Sequence, residues 1–310
     1  MRRFLIDTDT ASDDAIALLM AFAAPDVVVE ALTIVAGNCS LAQAAQNALY
    51  TAEVAGLRVP VYAGAARPLL RPMKHAAEVH GHDGLGDIDL PLGGRALTPG
   101  RGVDVIVETI LRYPGEVELV ALGPLTNIAV ALARAPEIAG LVRRCVVMGG
   151  VADGIGNVTP AAEFNIFVDP EAAAMVFASG MPVTMVGWDV SRKAAAFEPA
   201  ELAELRAIGT KRAAFAVDIL AALRRFMIAI SGRDAIDLPD PIAMAVALDP
   251  AVATDVRRLP VIVDTSHGPS AGATLVDHYR LSGLPATVDV VFAADRAKFL
   301  AMLRQALSQP

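Results

Sequence analysis

Short, uninterrupted apolar runs alternate with segments of helical period along the first part of the chain. Arg3–Ile6, Val27–Val35 and Val59–Tyr62 are rich in aliphatic and β-branched residues and predict strands, whereas 13–23 and 41–55 space their apolar residues three or four apart and predict helices. After a polar, Gly-rich interval the alternation resumes. It predicts a helix over 103–112, a strand over 117–122, a helix over 126–133, a strand over 142–148, a helix over 170–178 and a strand over 182–186. Apolar strands separated by helices point to an α/β fold, with a mostly parallel central sheet covered by helices on both faces in the Rossmann-like manner. Residues 198–231 read as almost wholly helical, and strands over 257–263, 273–278 and 286–292 precede a last helix from Asp295. No repeat or flexible linker interrupts the pattern, so residues 1–310 are expected to form a single domain.

Composition narrows the partners. Hydrophobic residues make up 55% of the chain and mean hydropathy is +0.49, yet the long uncharged stretches 31–52 and 172–188 are broken by Asn, Gln, Ser, Gly or Pro. No run of ~20 apolar residues is left to span a membrane. The first strand meets Asp7 after three apolar positions, far short of the ~7–15 of a secretory signal, so a cytoplasmic location is expected. A net charge of −8 disfavours a nucleic-acid backbone as partner and leaves small molecules. Cys39 and Cys145 lack the spacing of a redox or zinc motif and read as buried thiols.

Ligands of open parallel sheets bind beyond the carboxyl ends of the strands, which directs attention to the loop after the first strand. There Asp7, Asp9, Asp13 and Asp14 place four acids within eight positions. Two like charges 4 Å apart repel by roughly 4 kcal/mol at an effective dielectric near 20, so the group must spread out, take up protons or bind a cation. With no His or Cys alongside, the oxygen donors favour a hard ion, Ca²⁺ or Mg²⁺. A purely structural reading stays open: Ser12 caps the helix and Asp13 and Asp14 serve its dipole, while Asp7 and Asp9 are solvated. Far along the chain, Asp240 next to Pro241 reads by itself as the start of another helix.

The acidic loop, of the form D-x-D-x-x-x-D-D from Asp7 to Asp14, is followed in order by Val35-Ala36-Gly37-Asn38, Pro60-Val61-Tyr62-Ala63-Gly64, His80-Gly81-His82-Asp83-Gly84-Leu85-Gly86, Leu122-Gly123-Pro124-Leu125-Thr126-Asn127, Met148-Gly149-Gly150, Asn157 through Asn165, and Asp169-Pro170-Glu171-Ala172. The series resembles the calcium-dependent nucleoside hydrolases, including the inosine-uridine preferring type, over most of the chain. The resemblance implies hydrolysis of the N-glycosidic bond of ribonucleosides. It implies that Asp9, Asp14, Asp240 and the backbone carbonyl of Thr126 bind Ca²⁺, and that Asp9 also takes a proton from the attacking water. Asp13, Asn38, Asn157, Glu163, Asn165 and Asp240 match ribose-binding positions, and Met148 matches one beneath the sugar. A homodimer or homotetramer is implied as well.

The pattern breaks at two places. Thr10-Ala11 stands where Pro-Gly is usual, which removes no carboxylate. Pro239 stands where many relatives carry a His proposed to protonate the departing base, and Pro cannot donate a proton. His80 and His82 are the candidates to replace it, with His80 placed nearer the mouth of the site by the resemblance. Two other readings compete. Asp7-Thr8-Asp9-Thr10 also resembles the nucleophile loop of haloacid-dehalogenase-type phosphatases, and a nucleoside- or ribose-binding protein with little turnover would keep the same cradle.

Overall fold

The computed structural model describes residues 1–310. Twelve strands are present: β1 (Arg2–Thr8), β2 (Val27–Ile34), β3 (Val61–Ala63), β4 (Val117–Ala121), β5 (Arg144–Met148), β6 (Val183–Val186), β7 (Ala196–Phe197), β8 (Ile236–Asp237), β9 (Ala253–Leu259), β10 (Val261–Val263), β11 (Thr274–Val276) and β12 (Val288–Ala294). Eight of them form one sheet in the order β3-β2-β1-β4-β5-β6-β12-β9. All its neighbours pair parallel except β9, an antiparallel edge on β12. The expected mostly parallel α/β sheet is therefore present.

Side chains of successive strand residues point to opposite faces, and the two faces build two apolar layers. Phe4, Ile6, Leu32, Ile34, Val120 and Val146 pack with the helices Ser12–Ala23, Leu41–Val54, Pro239–Leu248 and Arg296–Leu307. Leu5, Ala31, Leu119, Ala121, Cys145 and Val147 pack with the helices Gly102–Arg112, Thr126–Arg134 and Pro170–Ala178. Both cysteines are buried and free, as their sequence context predicts. No helix is long and apolar enough to cross a membrane.

The C-terminal third differs from its pattern in detail, for local reasons. The helical stretch is three helices, Pro199–Arg206, Lys211–Asp218 and Ala221–Ser231. The first break falls at Gly209, whose φ of +79° is open to glycine, followed by Thr210, whose side chain accepts from the N–H of Ala213. The strand expected over 257–263 is split between β9 and β10 at Pro260, which brings no N–H to a ladder. Three short helices escaped the sequence pattern, Ala77–His80, Phe164–Val168 and Trp188–Ala194, each too brief to show a period.

One helix is fixed with unusual care. Pro239–Leu248 is buried along nearly its whole length, and its C-terminal carbonyls accept hydrogen bonds from the guanidiniums of Arg2 and Arg144, which both also donate to Glu118. Cations at the negative end of a helix dipole are stabilising. The opposite end of this helix carries Asp240.

Candidate active site

β1 lies between β2 and β4, the place where the winding of a parallel sheet reverses and a crevice opens beyond the strand ends. The acidic loop leaves β1 into this crevice. Asp7, still within the strand, accepts from Thr33 Oγ1 at 2.5 Å and from Asn127 Nδ2 at 2.8 Å. It is fully buried, and burial pushes its carboxyl up to about 7 against those two bonds. A side chain so enclosed ties β1 to β2 and to the start of the helix Thr126–Arg134. It has no room to act as a phosphatase nucleophile.

Asp9 sits where two backbones close in. Its Oδ2 accepts from the N–H of Asn38 at 2.6 Å, and its Oδ1 has no partner although fully buried. A Cβ on Gly37 would fall 2.1 Å from Asp9 Oδ2, and one on Gly123 would fall 2.7 Å from Oδ1. Both positions therefore need glycine. Gly37→Ala is expected to push the Asp9 carboxylate aside and lower kcat by about 10²-fold, the usual scale for a misplacement of about 1 Å, and to lower the thermal midpoint as well, because the same Cβ would lie 2.8 Å from Cδ of the buried Pro124. Steady-state kinetics beside a melting curve checks this, and an unchanged kcat would contradict it.

The helices Ser12–Ala23 and Pro239–Leu248 pack together and bring their N-termini to the same point. Asp14 is held by Thr8 Oγ1 at 2.6 Å and by the N–H of Ala11 at 2.9 Å. Asp13 Oδ1 and Asp240 Oδ1, in contrast, are buried without a partner. Asp240 does not cap its helix, because the cap residue is Leu238. Carboxylate oxygens of Asp13, Asp14 and Asp240 lie within 4.8 Å of one another. Burial pushes Asp9 and Asp240 well above the usual carboxylate range, with the charge of Asp14 adding to it in both, and pushes Asp13 and Asp14 up to about 6.

His80 brings no charge to relieve this. Its Nδ1 is 2.8 Å from Ser12 Oγ and 3.8 Å from Asp13 Oδ1, and burial lowers its pKa to about 4 although Asp14 pulls the other way. The ring is neutral near pH 7. Several orphaned carboxylate oxygens facing one another, with no cation of the chain among them, fit a bound metal ion better than they fit a structural helix start. Thr126 gives its hydroxyl to Asp169 at 2.6 Å, so any part it plays in ion binding falls to its backbone carbonyl.

A cavity of about 550 Å³ opens above these acids. Asp13, Asn38, His80, Met148, Asn157, Glu163, Asn165 and Asp240 all line it, while Asp9, Asp14 and Thr126 lie buried beneath. Glu163 accepts the N–H groups of Asn165 at 2.9 Å, Gly150 at 3.0 Å and Ile166 at 3.3 Å, and burial nevertheless pushes it up to about 7. Asn165 Nδ2 donates to the carbonyls of Leu122 at 2.7 Å and Met148 at 3.3 Å, which stitches the ends of β4 and β5 to the pocket. Asn157 Oδ1 accepts from the N–H of Phe164 at 2.9 Å. Its amide nitrogen stays free.

The other end of the cavity is apolar. Leu223, Phe226, Met227 and Ile230 from the helix Ala221–Ser231 line it with Trp188, Ile155 and Phe164. The four helix residues follow the i, i+3, i+4, i+7 spacing, a stripe that the sequence displays but that reads equally as core. Lys74, Arg192, Arg233 and Asp237 also line the cavity, and no motif announced them. Pro239 is there too, whereas His82 is exposed and turned to Asp87, which removes it as a candidate at the site.

Comparison with known proteins decides what this combination of an acidic floor and an apolar wall belongs to. A family profile described as inosine-uridine preferring nucleoside hydrolase matches residues 4–301. The chain belongs to that nucleoside hydrolase family. It is 37% identical over 312 residues to the inosine-uridine preferring nucleoside hydrolase of Leishmania major, covering 99% of this chain and 98% of that one. It is 39% identical over 310 residues to the pyrimidine-specific ribonucleoside hydrolase RihA of Klebsiella pneumoniae (strain 342), covering 98% and 97%. Among solved structures, the purine-preferring ribonucleoside hydrolase from Gardnerella vaginalis superposes with a TM-score of 0.91 at 32% identity, covering 99% of this chain and 98% of that one. This nucleoside hydrolase is thus an N-glycosidic hydrolase that releases ribose and a free base. Relatives of opposite base preference are similar to it to much the same degree, so overall likeness does not carry the choice of base.

Proposed function

We propose that this nucleoside hydrolase cleaves ribonucleosides with the sugar on the acidic floor and the base against the apolar wall, and that its metal is Ca²⁺ held by Asp9, Asp14, Asp240 and the Thr126 carbonyl. The observation that carries this reading is the set of buried, partnerless oxygens on Asp9, Asp13 and Asp240 at the closed end of the cavity. An all-oxygen set with several carboxylates suits a hard ion with six to eight ligands. When bound, such an ion supplies positive charge to the carboxylates, coordination sites for a sugar diol, and a water of lowered pKa.

The remaining chemistry falls to the chain. Asp9 takes the proton of the attacking water, and the N–H of Asn38 holds its other oxygen in place. Asp13, Asn38, Asn157, Glu163, Asn165 and Asp240 bind the ribose hydroxyls, and Met148 packs under the ring. Positive charge developing on the sugar is stabilised by the surrounding carboxylates, in the manner of glycoside hydrolysis generally. His80 acts as a neutral ring, so the only proton it shares with substrate is a single N–H.

The test is ribose and base released in equal amounts from a nucleoside panel. Release from none of them contradicts the proposal. His80→Ala is expected to lower kcat by about tenfold, the scale of one hydrogen bond, and to leave unchanged any limb of the kcat/KM profile near pH 6.5, which falls to the raised carboxyls of Glu163, Asp13 and Asp14. A limb at that pH, lost in His80→Ala, would contradict the neutral assignment. Self-association as a homodimer or homotetramer is proposed too, supported by the exposed Leu275, Tyr279, Leu281 and Leu284.

A further inference from the structure

Thr10 and Ala11 stand directly after Asp9, in place of the usual Pro-Gly. Ala11 has a φ of −114°, an extended value open to any residue, so nothing in this turn calls for glycine. Proline would fix its own φ, whereas threonine does not, and here side chains hold the turn instead. Asn47 Nδ2 donates to the Thr10 carbonyl at 2.9 Å, and Thr10 Oγ1 lies 3.0 Å from Thr8 Oγ1. Both threonines are fully buried.

The direction of each hydrogen bond follows from what the groups carry. A carboxylate that holds a cation is ionised and only accepts, while a hydroxyl has one proton to give and two lone pairs with which to receive. Thr8 Oγ1 lies 2.6 Å from Asp14 Oδ1 and so gives its proton there. Thr8 must then accept from Thr10, whose hydroxyl has no other partner. The protons point one way along the row, from Thr10 through Thr8 to Asp14.

The other oxygen of Asp14 accepts from the N–H of Ala11 at 2.9 Å, so the residue after Thr10 grips the same carboxylate. Asp9, Asp13 and Asp240 each keep one buried oxygen without a partner, whereas both oxygens of Asp14 are held. Its orientation is set before any ion arrives. Partners that orient a metal ligand from outside contribute to affinity, and hydroxyls in a row polarise one another.

Resting on the calcium reading above, we propose that Thr10 is a positioning residue for the metal site: its hydroxyl fixes that of Thr8, and through it the orientation of Asp14 toward the ion. Thr10 itself touches neither ion nor substrate. Losing a direct outer partner of a ligand typically costs about 10–100-fold in affinity, so the Thr8 hydroxyl belongs in that range and the Thr10 hydroxyl, one step further out, at about fivefold.

Calorimetric titration of Ca²⁺ into chelator-stripped enzyme reads this without any turnover. Thr10→Val keeps the shape and removes the hydroxyl, and is expected to bind Ca²⁺ about fivefold more weakly, whereas Thr10→Ser should stay within about twofold of the native enzyme. Thr8→Val should bind about tenfold more weakly or worse. Adding Thr10→Val to Thr8→Val should change affinity by less than about twofold, because the row is already broken, and a double-mutant cycle isolates that dependence. Melting curves in chelator show that each variant is folded. A Thr10→Val affinity within about twofold of native, Thr10→Ser as weak as Thr10→Val, or an equal loss from Thr10→Val in both backgrounds would overturn the inference and leave the calcium reading intact. No Ca²⁺ bound by the native enzyme would overturn that reading, and this one with it.

Discussion

Asp9→Asn is expected to lower ribose release by about 10³-fold, within the range for losing a general base, and at the same time to make the metal-free protein more stable. The two signs have one origin. Asparagine has nearly the shape of aspartate, and its amide oxygen can still accept from the N–H of Asn38, so the loop stays closed. What disappears is the group that takes the proton, together with one charge from a buried cluster in which Asp9, Asp13, Asp14 and Asp240 repel one another. Removing a like charge relieves the others. Steady-state rates and thermal melts in chelator read the two effects. A kcat within tenfold of the native enzyme, or a lower melting temperature in chelator, would contradict the roles given to Asp9.

In chelator the native protein is expected to lose stability as pH rises from about 5 to 8, opposite to the common behaviour of salt-bridged carboxylates. Burial raises Asp13 and Asp14 to about 6, and Asp7 and Glu163 to about 7. In the unfolded chain such groups return to about 4. Between the two values the folded state holds more protons, so its advantage is complete below about pH 4 and is lost as pH climbs through the folded values. The fall in melting temperature should be on the order of 5 °C or more for a chain of this size. Ca²⁺ should restore it at pH 8 and do little at pH 5, where protons compete for the same oxygens. A flat or rising profile in chelator would show that the acids are not buried as a cluster.

Much of the fold can be read from the chain, because its strands are short apolar runs bounded by helices of clear period. The placing of β12 between β6 and β9 cannot, since strand order depends on contacts far apart in sequence. At the site, the acids after β1 identify themselves by number and by their position at a strand end. Asp240 is named only by the family resemblance: by its own context it looks like a helix start, and the packing of its helix against Ser12–Ala23 is what brings it to the other acids. The structure also groups Asp13 with Asp14 and Asp240, in keeping with its place in the acidic cluster, although the resemblance assigns it to the ribose and not to the ion. His80 looks like a titrating histidine until its burial is known. The stripe Leu223, Phe226, Met227, Ile230 illustrates the limit most plainly, because period marks an apolar face without saying whether core or ligand covers it.

Hydrolysis by this enzyme is expected to require a hard divalent ion that completes the acidic floor. Titrating Ca²⁺ into chelator-stripped enzyme with inosine present, while following both bound ion and released ribose, tests this most directly. Ribose release should be absent at the start and rise in step with occupancy of a single site per chain, and Asp240→Asn should weaken both together. Full turnover by the stripped enzyme, or saturation with Ca²⁺ that leaves turnover unchanged, would contradict it.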